Sequence, residues 1–159
     1  DGGLHTMATD EYCTSWDVKI EGRTISDVTG GHNGAETRAG ITYSEGASKR
    51  GMSLQRFVDV TSANAAKIMG LYPQKGVIAP GSDADIVLID PSIKKRLTGD
   101  DFHITDYSIW DGFDIEGWPV MTILRGAVAV EDGELKATLG GGKFLTRKVD
   151  QQIVNKPGC

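Results

Sequence analysis

The sequence predicts an α/β chain in which a helical layer gives way to a β layer across one short seam. Three stretches predict it. Residues 61–69 hold the helix formers Ala63, Ala65 and Ala66 with apolar Ile68 and Met69, and Ser62 or Asn64 is a candidate cap. Gly70 stops that helix and Pro73 forbids its continuation. Residues 84–89 read Ala-Asp-Ile-Val-Leu-Ile, an apolar β-branched run that suits a strand buried on both faces, ended by Asp90-Pro91. Further on, Asp132-Gly133 between two short runs is a hairpin turn.

Composition narrows the class. The 159 residues are 39% hydrophobic and 25% charged, which excludes a disordered or membrane-embedded chain. The apolar runs are too short to span a bilayer. A net charge of −5 argues against a nucleic-acid surface. Cys13 and Cys159 are too few for a disulfide framework and lack metal-type spacing, so both are expected reduced, in a cytoplasmic protein. The chain starts at Asp1 with no charged-then-apolar leader, and no signal peptide is expected.

Taken in order, residues 4–9 (LHTMAT) form a strand candidate ending at Asp10, which by itself reads as a cap or turn residue. Residues 15–29 have no clean period and read as a loop with a helical turn after Ser26. Gly30-Gly31-His32-Asn33-Gly34 is a glycine-rich loop whose backbone can approach a ligand closely, and His32 reads as a solvated loop residue. Residues 36–49 read as a helix with Ile41 and Tyr43 partly buried. Ser53 caps the next helix, with Leu54, Phe57, Val58 and Thr61 at helical spacing as core positions. The basic cluster of residues 94–96 reads as a solvated face. Residues 100–112 are rich in aromatics and acids, but Asp101, His103 and Asp106 suit no compact metal site and read as packing. Trp118-Pro119 starts a strand over residues 120–125, and a hairpin follows at residues 128–137.

The seam resembles that of the amidohydrolase superfamily, and most closely its dihydropyrimidinase and D-hydantoinase (phenylhydantoinase-like) branch. Asn64, Ala66, Gly70-Leu71-Tyr72-Pro73, Lys75-Gly76 and Gly81-Ser82-Asp83-Ala84-Asp85 carry the likeness, which runs from Asp1 to about Lys148. The resemblance implies the C-terminal end of a metal-dependent (β/α)8 TIM barrel followed by part of a β-sandwich, the last third of a longer enzyme. On this reading residues 1–74 are the last strand, active-site loop and closing helices of the barrel, residues 75–139 the sandwich part, and residues 140–159 a tail whose basic-aromatic residues 143–147 serve subunit contacts. Ala8-Thr9-Asp10 aligns with the end of the last barrel strand, where α/β barrels place working residues. The resemblance makes Asp10 a metal ligand and the catalytic proton shuttle, and Asn33 and Gly34 contacts of the substrate ring. Relatives also carry a Cys near Cys13. They commonly have His directly after the Asp, where this chain has Glu11 and then Tyr12, which changes the expected pocket.

The implied reaction is ring opening of a dihydropyrimidine or 5-substituted hydantoin by metal-activated water, in a homo-oligomer, a tetramer. The implied cofactor is two divalent metal ions, zinc, bridged by a carboxylated lysine. Of these ligands the chain supplies Asp10 only. His5, His32 and His103 form no His-x-His pair, and a catalytic metal needs about three protein ligands, so the chain alone is expected to be inactive. It is also expected to self-associate through the apolar face of its closing helices. Two alternatives stay open: a non-catalytic dihydropyrimidinase-related scaffold, and a sister amidohydrolase such as an allantoinase or dihydroorotase.

Overall fold

The computed structural model describes residues 3–138 and 140–155; Cys159 lies outside the described residues. The chain forms two compact units. One gathers the residues up to Met7, Gly51–Asp90 and the residues from Pro119 on. The other gathers Ala8–Arg50 and Pro91–Trp118. Each therefore draws on residues from both sides of the seam.

In the first unit, the helix that leads to the seam begins earlier than Ser62 or Asn64. It starts at α3, Leu54–Val58, passes through a π-helical stretch, Asp59–Ala63, and ends as α4, Asn64–Ile68. Ser53 is its cap, its hydroxyl oxygen accepting the Arg56 N–H at 3.1 Å. Its end is a Schellman motif. Gly70, at φ +71°, donates its N–H to the Lys67 carbonyl, and the Leu71 N–H bonds the Ala66 carbonyl at 2.8 Å. Val60, Ala63, Asn64 and Ala66 are the buried positions. Leu54 and Val58 are 63% and 44% exposed, so the expected core stripe is corrected. Burial follows the side that meets residues of this chain: Asn64 bonds the His5 carbonyl, and Val60 accepts from Met7.

Those two bonds also correct the strand expected over residues 4–9. No strand forms there, because a strand needs a pairing neighbour and this segment bonds helical groups instead.

After the seam, Lys75 pairs with Asp83 at 2.9 Å and with Asp85, while Asp85 also accepts the Arg125 N–H at 2.8 Å. The sheet has four strands in the order β1-β2-β3-β4: β1 Ile86–Arg96, β2 Asp114–Leu124, β3 Ala127–Glu131 and β4 Glu134–Leu135. The Asp132-Gly133 hairpin forms as expected, both residues at positive φ. Three expectations are corrected. β1 runs through Asp90-Pro91 rather than ending there, which an outermost strand allows because proline need donate no ladder bond. It is not buried on both faces either, since Val87 and Leu88 are 47% and 45% exposed and no second layer of the described residues covers them. β2 begins at Asp114, before Trp118-Pro119, and its register with β3 starts only at Met121, so Pro119 breaks none of those pairs.

The second unit has the tighter core. Leu97 (0% exposed), Ile115 and Ile41 pack with Ile93, Phe102, Trp110 and Trp118. Gly40 lets the Trp118 ring approach so closely that an added Cβ would lie 2.4 Å from it. The helix expected over residues 36–49 appears as α2, Arg38–Ile41, continued by π-helical Thr42–Ser48. A one-turn helix, α1, Trp16–Lys19, opens the segment 15–29, and around Ser26 the Asp27 and Val28 N–H groups close a hydrogen-bonded turn on the Thr24 carbonyl. The placement of α1 follows a tertiary bond, from the Trp16 N–H to the Asp106 carboxylate at 3.0 Å. The cluster at residues 94–96 is only partly a solvated face: Lys94 is exposed, while Lys95 pairs with Asp101 and lies over the Trp118 ring at 5.3 Å. At the chain's end, α5, Gln151–Asn155, begins where the Asp150 carboxylate accepts the Gln152 N–H at 2.7 Å.

Candidate functional site

The three residues singled out from the sequence, Asp10, Asn33 and Gly34, fall in the same unit. Two backbone bonds join their segments: the His32 N–H to the Asp10 carbonyl at 3.3 Å, and the Tyr12 N–H to the His32 carbonyl at 3.2 Å. They form a parallel bridge between Glu11 and His32. Asp10 is exposed and holds a left-handed backbone at φ +52°, a conformation a non-glycine residue keeps only where its neighbours fix it.

The next residue, Glu11, is bonded through both carboxylate oxygens. One carboxylate oxygen, Oε2, accepts the N–H groups of Gly34 and Ala35, each at 2.5 Å. The other, Oε1, accepts the Cys13 thiol at 3.1 Å. Partial burial works against the charge. The Cys13 thiol, the two amides and nearby His32 outweigh it and hold Glu11 below the usual carboxylate value. The same bond, with desolvation and the Glu11 charge, pushes the Cys13 thiol up, so Cys13 is a poor nucleophile. From the far side, Lys19 Nζ donates to the carbonyls of Thr29 and Gly31, at 2.5 and 2.6 Å.

Asn33 is 7% exposed. Its amide nitrogen donates to Thr105 Oγ1 and to the Tyr107 carbonyl, and Thr105 itself donates to that carbonyl at 2.6 Å. Because the carbonyl must face a donor, the Asn33 amide has one orientation, which leaves its buried Oδ1 without a partner. Gly34 spends its N–H on Glu11 and its carbonyl on the Arg38 N–H at 2.9 Å. His32 donates from Nδ1 to the Asn33 carbonyl at 3.0 Å. A strap of residues 103–107 closes over the loop. His103 bonds the Glu36 carboxylate, Asp106 accepts the Trp16 N–H, and the Tyr107 ring packs 5.4 Å from Trp16.

Sequence reasoning marked Glu11 as unusual but did not find its role, and it read the 103–107 strap as packing without linking it to Asn33. Thr105 carries no local signal, because its meaning depends on a partner 72 residues away.

Among the described residues no group of three or more His, Cys, Asp or Glu side chains gathers into a metal-binding cluster. Asp10 is the one ligand the family resemblance offers, and the described residues supply no full set, so no step below runs through a metal. No helix among the described residues is long and apolar enough to cross a membrane.

The amidohydrolase family model matches residues 2–129. A D-phenylhydantoinase of Escherichia coli O1:K1 / APEC is 40% identical over 152 residues, covering 93% of this chain and 33% of its own length. The D-hydantoinase from Bacillus sp. AR9 superposes with a TM-score of 0.86 at 36% identity, over 92% of this chain and 32% of that one. The D-hydantoinase (dihydropyrimidinase) from Thermus sp. gives 0.74 at 39% identity, over 78% and 27%. These likenesses uphold the TIM-barrel-containing α/β class read from the seam. The chain spans about a third of the length of the curated relatives it matches.

Proposed function

Because the chain belongs to the amidohydrolase family, we propose that it is the C-terminal part of a metal-dependent cyclic amidase that opens the ring of a dihydropyrimidine or a 5-substituted hydantoin. The observation that carries this reading is 40% identity to a D-phenylhydantoinase across 93% of the chain. The same relatives favour it over the scaffold and sister-enzyme alternatives. The family is metal-dependent. We assign the whole protein two divalent ions, zinc, with every ligand but Asp10 outside this chain. When bound, such an ion activates water near neutral pH.

Asp10 takes the proton that the attacking water loses and delivers it to the ring nitrogen as the C–N bond breaks and the C–O bond forms. The product is an open-chain N-carbamoyl acid. Asn33 and Gly34 sit against the ring. With both polar backbone groups committed, Gly34 supports the ring by shape. The division at residues 74 and 139, the cytoplasmic location and the homotetramer belong to the same proposal. With a single ligand of its own, the chain alone is inactive.

The test is ring opening of dihydrouracil and 5-phenylhydantoin by the full-length protein that carries this chain, followed as N-carbamoyl product, with metal per chain measured by elemental analysis. The Asp10→Asn variant is expected to lose about 10²–10⁴-fold in kcat. A metal-loaded full-length protein that opens neither ring would sink the reading.

A further inference from the structure

We propose that Glu11 is a positioning residue for the candidate site: its carboxylate clamps the loop carrying Asn33 and Gly34 onto the Asp10 segment and fixes the spacing between them. The proposal rests on the cyclic-amidase reading for its catalytic consequence, and on geometry alone for the clamp.

The bonds converge on one short stretch. Oε2 of Glu11 reaches two consecutive amides, Gly34 and Ala35, 23 and 24 residues away. Oε1 is held by the Cys13 thiol, so the carboxylate is anchored on its own segment while it grips the loop. On either side of Glu11, the Asp10 carbonyl and the Tyr12 N–H bond the backbone of His32. Glu11 therefore sits between two backbone bonds to one loop, and the first of them is made by Asp10 itself, which holds its left-handed backbone. Charge-assisted bonds to backbone N–H groups are the stronger class of hydrogen bond. Both Glu11 oxygens are engaged, so Glu11 acts through the loop and not on a substrate. Glutamine keeps an acceptor oxygen and can hold at least one amide, whereas alanine holds neither.

The experiment uses the full-length protein and its Glu11→Ala and Glu11→Gln variants. Hydrogen exchange is read on the peptide spanning residues 31–37, with no ligand present. Glu11→Ala is expected to speed exchange of the Gly34 and Ala35 amides at least tenfold, with peptides from the 54–68 helix unchanged, and Glu11→Gln to recover much of the protection. Unchanged exchange in Glu11→Ala overturns the clamp whatever the activity. With dihydrouracil or 5-phenylhydantoin, Glu11→Ala is expected to raise KM about tenfold and lower kcat, and Glu11→Gln to restore most of both. Faster exchange with unchanged KM and kcat overturns the positioning role and leaves a purely structural clamp. A wild-type protein that opens no ring overturns the amidase reading and the catalytic consequence with it, while the exchange result still decides the clamp.

Discussion

The helix that runs from Leu54 to Ile68 and the loop that runs from Asp10 to Glu36 are built by opposite means. The helix is written locally: its cap, Ser53, reaches three residues along, and its stop, Gly70, closes back on Lys67. The loop has little local structure beyond two single turns, at Trp16–Lys19 and around Ser26. It is held by polar bonds to residues 23 to 90 positions away: Glu11 to Gly34, Asn33 to Thr105 and Tyr107, and Trp16 to Asp106. Regular structure can be specified by neighbours. A site that must present a left-handed Asp10 beside a buried Asn33 requires contacts from distant parts of the chain.

That contrast orders the expected costs of mutation in the full-length protein, by urea or thermal unfolding. The largest belongs to the core of the second unit. Leu97→Ala, at a fully buried position, is expected to cost about 2–5 kcal/mol. Next comes Asn33→Ala, which strips the Thr105 hydroxyl and the Tyr107 carbonyl of a donor. It is expected to cost about 1–3 kcal/mol and to speed hydrogen exchange in the 103–107 strap. Ser53→Ala removes a local cap from an exposed helix start and is expected to cost about 0.5–2 kcal/mol, with no effect on the strap. If Ser53→Ala loosened the strap, or Asn33→Ala left it untouched, the contrast between local and long-range construction would fail.

The smallest effect is a pH dependence in the Lys75 ion cluster. The bond to Lys75 lowers Asp83. For Asp85, burial works the other way but is outweighed by Lys75 and the Arg125 N–H, so it is lowered too. Stability from these two carboxylates is complete above the ordinary value of 3.8 and is lost as pH falls through their lowered values. Lys75 is raised by Asp85 first and Asp83 second, so its contribution is complete below 10.5 and is lost as pH rises through the raised value. Lys75→Met is expected to flatten the acid limb below pH 3.8 of a thermal-melt series relative to wild type. An unchanged acid limb would show that the cluster contributes nothing measurable, as many exposed pairs do.

The same contrast explains what was legible in the sequence. Ser53, Gly70 and Asp132-Gly133 each act through neighbours, which is why the sequence alone places them. The strand expected over residues 4–9 failed because strand pairing is decided by a neighbour the segment lacks. The end of β1 and the start of β2 differ from expectation because Asp90-Pro91 reads as a stop and Trp118-Pro119 as a start. An outer strand admits the first proline, and a stretch outside the β2–β3 register admits the second. Leu54 and Val58 have core periodicity, but periodicity does not say which side meets other residues. In the candidate site, residue identities were visible and their partners were not. Glu11 stood out as a substitution, while its use as a carboxylate for two amides depends on a loop 23 residues away.

Pro91 in the outer strand has a consequence for how copies of this chain meet. A fifth strand arriving on β1 would be refused along its second half, where Pro91 offers no N–H and Lys94 and Arg96 add like charge. The first half, with Val87 and Leu88 exposed, carries no such gatekeeper. A sheet guarded over half of one rim leaves the other half of that rim open to pairing. A charge placed at Val87 is therefore the most economical change for keeping concentrated preparations free of fibrous association.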